Sequence, residues 1–148
     1  ALSRKGEADG YLVSRYQFPV ARIAAGRHLR GLASSLIDIS DGLVAEVGHL
    51  VETDSLGAEI AAWELPLSKQ LVKSAGEDIA ICMALFSGDD YELCFTANPA
   101  HCGEIKALSN SINVPMTRIG VVTGGGEIVI RDSKGEPMDF ESAGYKHF

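Results

Sequence analysis

The period of the apolar residues changes once, sharply, between Ser34 and Val51, and that change requires a strand running directly into a helix. Ser34 to Ser40 reads as a short strand, after which Leu43, Val44, Val47, Leu50 and Val51 recur at helical spacing. Ser40 or Asp41 stands at the N-cap, and Gly57 lies shortly beyond the end. The rest of the chain keeps alternating between the two periods. Phe18-Pro19 opens an expected helix through Arg30, since Pro suits a first helical turn. Ala58 to Ala61 reads as a strand, Ser68 caps a helix containing Leu71 and Val72, and a further helix spans Asp78 to Phe86. Tyr91, Leu93 and Phe95 alternate with polar neighbours as a half-buried strand, and Asn98-Pro99 caps a helix to Leu108. A strand across Thr117, Ile119 and Val121, a Gly-rich turn at 123–126, Ile128 to Ile130 and a turn at 133–135 complete a terminal hairpin. Two βαβ units packed on a mixed sheet predict an α/β sandwich, partly ferredoxin-like.

With 148 residues the chain is the size of one domain. Thirteen Lys and Arg against 20 Asp and Glu give a net charge of −7, the wrong balance for a backbone-phosphate binder, so nucleic acid is not an expected partner. No apolar run approaches a membrane span, and Ala1 to Gly6 carries no signal-peptide core. Cys82, Cys94 and Cys102 are odd in number and form no Cys-x-x-Cys, which reads as reduced thiols and a cytoplasmic protein. The absent initiator Met and the polar stretch from Ser3 to Tyr11 place a linker, or the end of a missing N-terminal domain, at 1–15, with the domain proper at 16–148.

Two acidic clusters carry the candidate chemistry. Asp38, Ser40, Asp41 and Gly42 sit at the strand-to-helix turn, where a helix N-terminus suits phosphate and paired carboxylates suit Mg²⁺. The same residues also make a plain N-cap. Ser87-Gly88-Asp89-Asp90-Tyr91-Glu92 precedes the next strand and also reads as an ordinary turn. Together the clusters are more telling, since both lie at strand edges of one small sheet, where ligand loops gather. The Gly-rich turn at 123–126 lacks a following Lys-Ser/Thr and is no P-loop. His28, His49, His101 and His147 lack metal spacing, so zinc is not expected.

Leu32 to Leu43 (Leu-Ala-Ser-Ser-Leu-Ile-Asp-Ile-Ser-Asp-Gly-Leu), Gly48-His49, Gly88 to Thr96, Thr117 to Gly120 and the ending Gly144-Tyr145-Lys146-His147-Phe148 resemble, in that order, the C-terminal domain of the thiamine-monophosphate kinases. These belong to the aminoimidazole ribonucleotide synthetase superfamily, and the resemblance covers the chain from about Tyr16 onward. It implies an α/β sandwich and a parent enzyme that moves the ATP γ-phosphate to thiamine phosphate with Mg²⁺. It further implies Asp38 and Asp41 as Mg²⁺ ligands, Ser40 as an ATP contact and Asp89 as a contact to the thiamine substrate. The missing N-terminal domain would carry most nucleotide ligands and form a homodimer, so this piece alone is expected to be inactive. Two positions depart from the family: Ser87 replaces the first of two Gly, and Ser142 replaces an aromatic, for which Phe140 or Tyr145 are the nearby substitutes. The competing readings are another superfamily enzyme, of selenophosphate synthetase or hydrogenase maturation type, and a non-catalytic metabolite-binding module.

Overall fold

The computed structural model describes residues 10–52 and 55–139. Its helices are α1 (Gly10–Gln17), α2 (Ile23–His28), α3 (Leu43–Glu52), α4 (Lys69–Ala75), α5 (Glu77–Phe86) and α6 (Cys102–Ile112). Its strands are β1 (Ala33–Asp38), β2 (Leu56–Ala61), β3 (Leu93–Ala97), β4 (Gly120–Gly124) and β5 (Ile128–Arg131).

The α/β class holds, with helices packed on a mixed sheet, but the two βαβ units do not form. β1 pairs antiparallel with β3 as a two-stranded ribbon, while β2 lies centrally between antiparallel β4 and parallel β5. Each expected unit is split between the two sheets, because α3 carries the chain from one sheet to the other, as does α6. β4 and β5 are not partners of each other either; they flank β2. The terminal hairpin is the next turn along, where Arg131 bridges Pro137 and Asp132 donates its N–H to the Glu136 carbonyl.

The apolar stripe of α3 explains where the core sits. Leu43, Val47 and Val51 pack with Ala58 and Ile60 of β2, Leu85 of α5 and Ile130 of β5. The α3 helix therefore rests on the three-stranded sheet at one side while its N-terminus abuts the β1 end. Ser68 caps α4 as expected, accepting the Leu71 N–H at 3.2 Å. Asn98 caps a short 3-10 turn at Pro99–His101 that leads into α6, which runs past Leu108 to a left-handed Asn113.

Three boundaries differ from the sequence pattern. Phe18-Pro19 separates two helices instead of opening one: α1 ends at Gln17, and α2 begins only at Ile23. The third strand starts at Leu93, because Tyr91 has φ 51°, which no strand residue adopts. Gly57 lies inside β2, where a Cβ would run into the Glu127 backbone, and ends no helix. The expected tail contacts Phe140, Ser142 and Tyr145, and the ending at 144–148, lie outside the described residues, as does the segment 1–9.

Candidate active site

The two acidic clusters meet. Beyond the last β1–β3 pair, Asp38 with Leu93, the chains stay bonded: Ile39 donates to the Glu92 carbonyl at 2.9 Å, and Tyr91 donates to the Ile39 carbonyl at 2.8 Å. The Asp89 N–H then reaches the Ser40 carbonyl at 2.9 Å. Two glycines permit this closeness. A Cβ on Gly88 would run into the Ser40 carbonyl oxygen, and one on Gly42, whose φ is 112°, would press on the Phe86 backbone at 3.0 Å. Ser87 is extended, with φ −86° and ψ 139°, a conformation any residue adopts, so its replacement of a glycine leaves the backbone path intact.

Asp38 lies on the exposed face of β1, which alternates with the half-buried positions Ser35 and Ile37, and Asp41 and Asp89 are exposed as well. Their negative charge converges on one phenol. The Tyr91 hydroxyl donates to Asp89 Oδ1 at 3.3 Å, and its pKa is raised first by the Asp89 charge and that hydrogen bond, with Asp38 and Asp41 adding to it. Asp90 is pushed up by partial desolvation and by Glu92 and Asp89, against the pull of Arg15. Both Asp89 and Tyr91 hold positive φ, 66° and 51°, a costly backbone for non-glycine residues that concentrates at functional turns.

The acids have different tasks. Glu92 faces two guanidinium groups: Arg15 at 2.6 Å, and Arg22 through two bonds at 2.7 and 2.8 Å. Burial raises its pKa, but Arg22 and Arg15 outweigh that and hold it below the usual carboxylate range. It fastens α1 and the segment before α2 to the second turn. Nothing in the sequence spacing announced this clamp, since the partners lie 77 and 70 residues apart.

The expected cap is inverted. Neither Ser40 nor Asp41 caps α3 with its side chain; Glu46, from the first turn of α3, reaches back to them. Its Oε1 accepts the Ser40 N–H at 3.3 Å, the Asp41 N–H at 3.1 Å and the Ser40 hydroxyl at 3.1 Å. Burial pushes this carboxyl up, yet the Asp41 amide, the Ser40 hydroxyl and amide and nearby His49 prevail and hold it below its ordinary value.

Among the described residues no three His, Cys, Asp or Glu side chains are grouped to hold a metal ion by themselves. Asp38 and Asp41 nonetheless suit Mg²⁺, which usually takes one or two carboxylates and completes its shell with water and substrate phosphate. His49 lies on α3, facing solvent. A cleft of about 440 Å³ on the other sheet, lined by Trp63, Arg118 and the Glu59–Arg131 ion pair, contains none of the predicted site residues.

The mixed α/β domain, with helices packed on a mixed sheet, has the aminoimidazole ribonucleotide synthetase-like fold that its structural neighbours share. No family model matches the chain. The thiamine-monophosphate kinase of Escherichia coli K12 is 41% identical over 144 residues, which is 96% of this chain and 43% of that protein. The crystal structure of thiamine-monophosphate kinase from Stenotrophomonas maltophilia K279a superposes with a TM-score of 0.80 at 37% identity, covering 86% of this chain and 40% of that one. AaThiL complexed with AMPPCP and TMP gives 0.72 at 32% identity, over 91% and 42%. The chain belongs to the thiamine-monophosphate kinase family, as the C-terminal part of such a protein. It spans less than half the length of the curated relatives it matches.

Proposed function

We propose that the full-length protein transfers the γ-phosphoryl group of ATP to thiamine phosphate, giving thiamine diphosphate and ADP. A phosphate oxygen of the acceptor attacks the γ-phosphorus while the bond to the bridging oxygen of ADP breaks. The observation that carries this reading is the joining of the two acidic turns through Ser40 and Asp89, in a chain whose relative was solved with an ATP analogue and TMP. Phosphoryl transfer needs positioning and neutralised oxygen charge more than covalent help, and exposed carboxylates on the two joined turns favour cations there.

In this reading Asp38 and Asp41 hold Mg²⁺, which supplies charge neutralisation at the phosphates, and Asp89 faces the cationic thiazolium of thiamine. Ser40 lies against ATP. Its hydroxyl proton is given to Glu46, which leaves lone pairs suited to a donor such as a metal-bound water. The remaining nucleotide ligands come from the rest of the protein, so this chain alone lacks kinase activity. The exposed row of Tyr16, Phe18, Val20 and Ile23, 52–72% accessible, supports a docking face for that missing N-terminal domain, because Arg15 and Arg22 tie it to the acidic turn where nucleotide must arrive. We further assign the protein to the cytoplasm as a homodimer. An odd number of cysteines with no Cys-x-x-Cys supports the compartment, and among the described residues no helix is long and apolar enough to cross a membrane.

The test is thiamine diphosphate formation by the full-length enzyme and by its Asp41→Asn variant. A folded variant slower by on the order of a hundredfold supports reaction and site together. Undiminished turnover in the variant removes Asp41 from the site, and an inactive unmodified enzyme removes the reaction.

A further inference from the structure

Three donors converge on one oxygen of a side chain that belongs to neither acidic motif. Glu46 is 3% exposed, and its Oε1 takes the backbone N–H groups of Ser40 and Asp41 and the Ser40 hydroxyl. The helix makes this reach possible. Side chains in a first turn lean toward the N-terminus, and the Glu46 stem is fixed by its own N–H donating to the Gly42 carbonyl at 3.1 Å.

A strand-to-helix turn with free amides takes an external anion. Here a side chain of the fold itself occupies the Ser40 and Asp41 amides. That turn presents the carboxylates of Asp38 and Asp41 outward, while its Ser40 and Asp41 amides, held inward by Glu46, are withdrawn from any external anion. Ser40 is fixed at every polar atom: its N–H and hydroxyl go to Glu46, and its carbonyl takes the Asp89 N–H. Holding Ser40 thus also holds the second turn.

We propose that Glu46 is the positioning residue of this site: it fills the amides of the Ser40–Asp41 turn from behind, setting the outward carboxylates and, through Ser40, the Asp89 turn. It touches neither substrate. The inference rests on the kinase reading for its effect on turnover, but not for the holding itself.

Hydrogen-exchange mass spectrometry on the full-length enzyme, paired with steady-state kinetics, tests both parts in the wild type, Glu46→Gln and Glu46→Leu. Gln keeps an acceptor oxygen at the same reach; Leu fills much of the volume and accepts nothing. The expected result is slow exchange at Ser40 and Asp41 in wild type and Glu46→Gln, with similar kcat in both. Glu46→Leu should exchange fast there and lose kcat by on the order of a hundredfold, as a displaced reacting group does, with a smaller change in KM for ATP. Freely exchanging Ser40 and Asp41 amides in the wild type overturn the proposal, as does a folded Glu46→Leu enzyme with normal kcat. Should Glu46→Leu fail to fold, Glu46→Gln decides: lost turnover with its amides still slow overturns the proposal, and retained turnover supports it. A wild type that makes no thiamine diphosphate ends the kinase reading, while exchange at Ser40 and Asp41 still decides the holding.

Discussion

The Asp89 N–H donates to the Ser40 carbonyl at 2.9 Å, joining two acidic turns that lie 49 residues apart in sequence. The contact exists because Gly88 presents no Cβ to that same carbonyl. Gly88→Ala is therefore expected to force the turns apart, destabilising the fold by about 1–3 kcal/mol as overpacking does. Gly124→Ala, where a Cβ meets nothing within 4 Å, is the control and should stay within about 0.5 kcal/mol. Thermal unfolding of both variants checks this, and equal melting temperatures would show that the turns do not depend on the close approach.

The clamp on Glu92 sets an acid limit. Its folded pKa lies below the ordinary 4.5, so its contribution to stability is complete above that value and disappears as pH falls through the lower folded value. Protonated Glu92 no longer pairs with Arg15 and Arg22 and so releases α1 and the segment before α2. Acid titration by circular dichroism should show Glu92→Gln losing less stability than wild type below about pH 4.5. Glu46, also held low, keeps part of the acid dependence in that variant. A variant with an unchanged acid profile would remove the clamp from the account.

How much of this was legible before any coordinates depends on the range of each interaction. The α3 stripe and the caps at Ser68 and Asn98 are local, and periodicity together with cap chemistry revealed them. The acidic residues stand out by type, and the expectation of one sheet for both strands brings them together. Sheet membership was misread, because a strand-helix-strand pattern does not say whether its strands pair with each other; β1 and β2 do not. The Glu92 clamp depends on partners some 70 residues away, and no local pattern encodes it. Glu46 is within reach of sequence reasoning, since an acid in the first helical turn can reach back to the preceding amides, a role that the cap chemistry of Ser40 and Asp41 does not suggest.

The three cysteines should separate cleanly by reactivity. Cys94 is pushed up to about 11, first by burial and then by the Glu46 charge, so at pH 8 about one molecule in a thousand carries the thiolate that alkylation needs. Cys82 is buried on the inner side of α5, whereas Cys102 is exposed at the start of α6. Iodoacetamide at pH 8 should label Cys102 first and leave Cys94 unmodified until the protein unfolds. Peptide mapping reads the order, and early labelling of Cys94 would contradict its half-buried place in β3 against the core.

Tyr91 offers a way to weigh the two substrates separately. Its hydroxyl donates to Asp89, the acid assigned to the thiamine cation, and the residue is 40% exposed, so Tyr91→Phe removes one hydrogen bond without opening a cavity. Freed of that donor, the Asp89 carboxylate keeps its charge but loses a fixed orientation. The expected effect is a rise of about three- to tenfold in KM for thiamine phosphate, the scale of about one hydrogen bond, with KM for ATP nearly unchanged because Asp38 and Asp41 are untouched. Steady-state kinetics varying each substrate in turn measures the split. If KM for ATP rises instead, the second turn serves the nucleotide, and Asp89 must be reassigned from the acceptor to the donor side of the reaction.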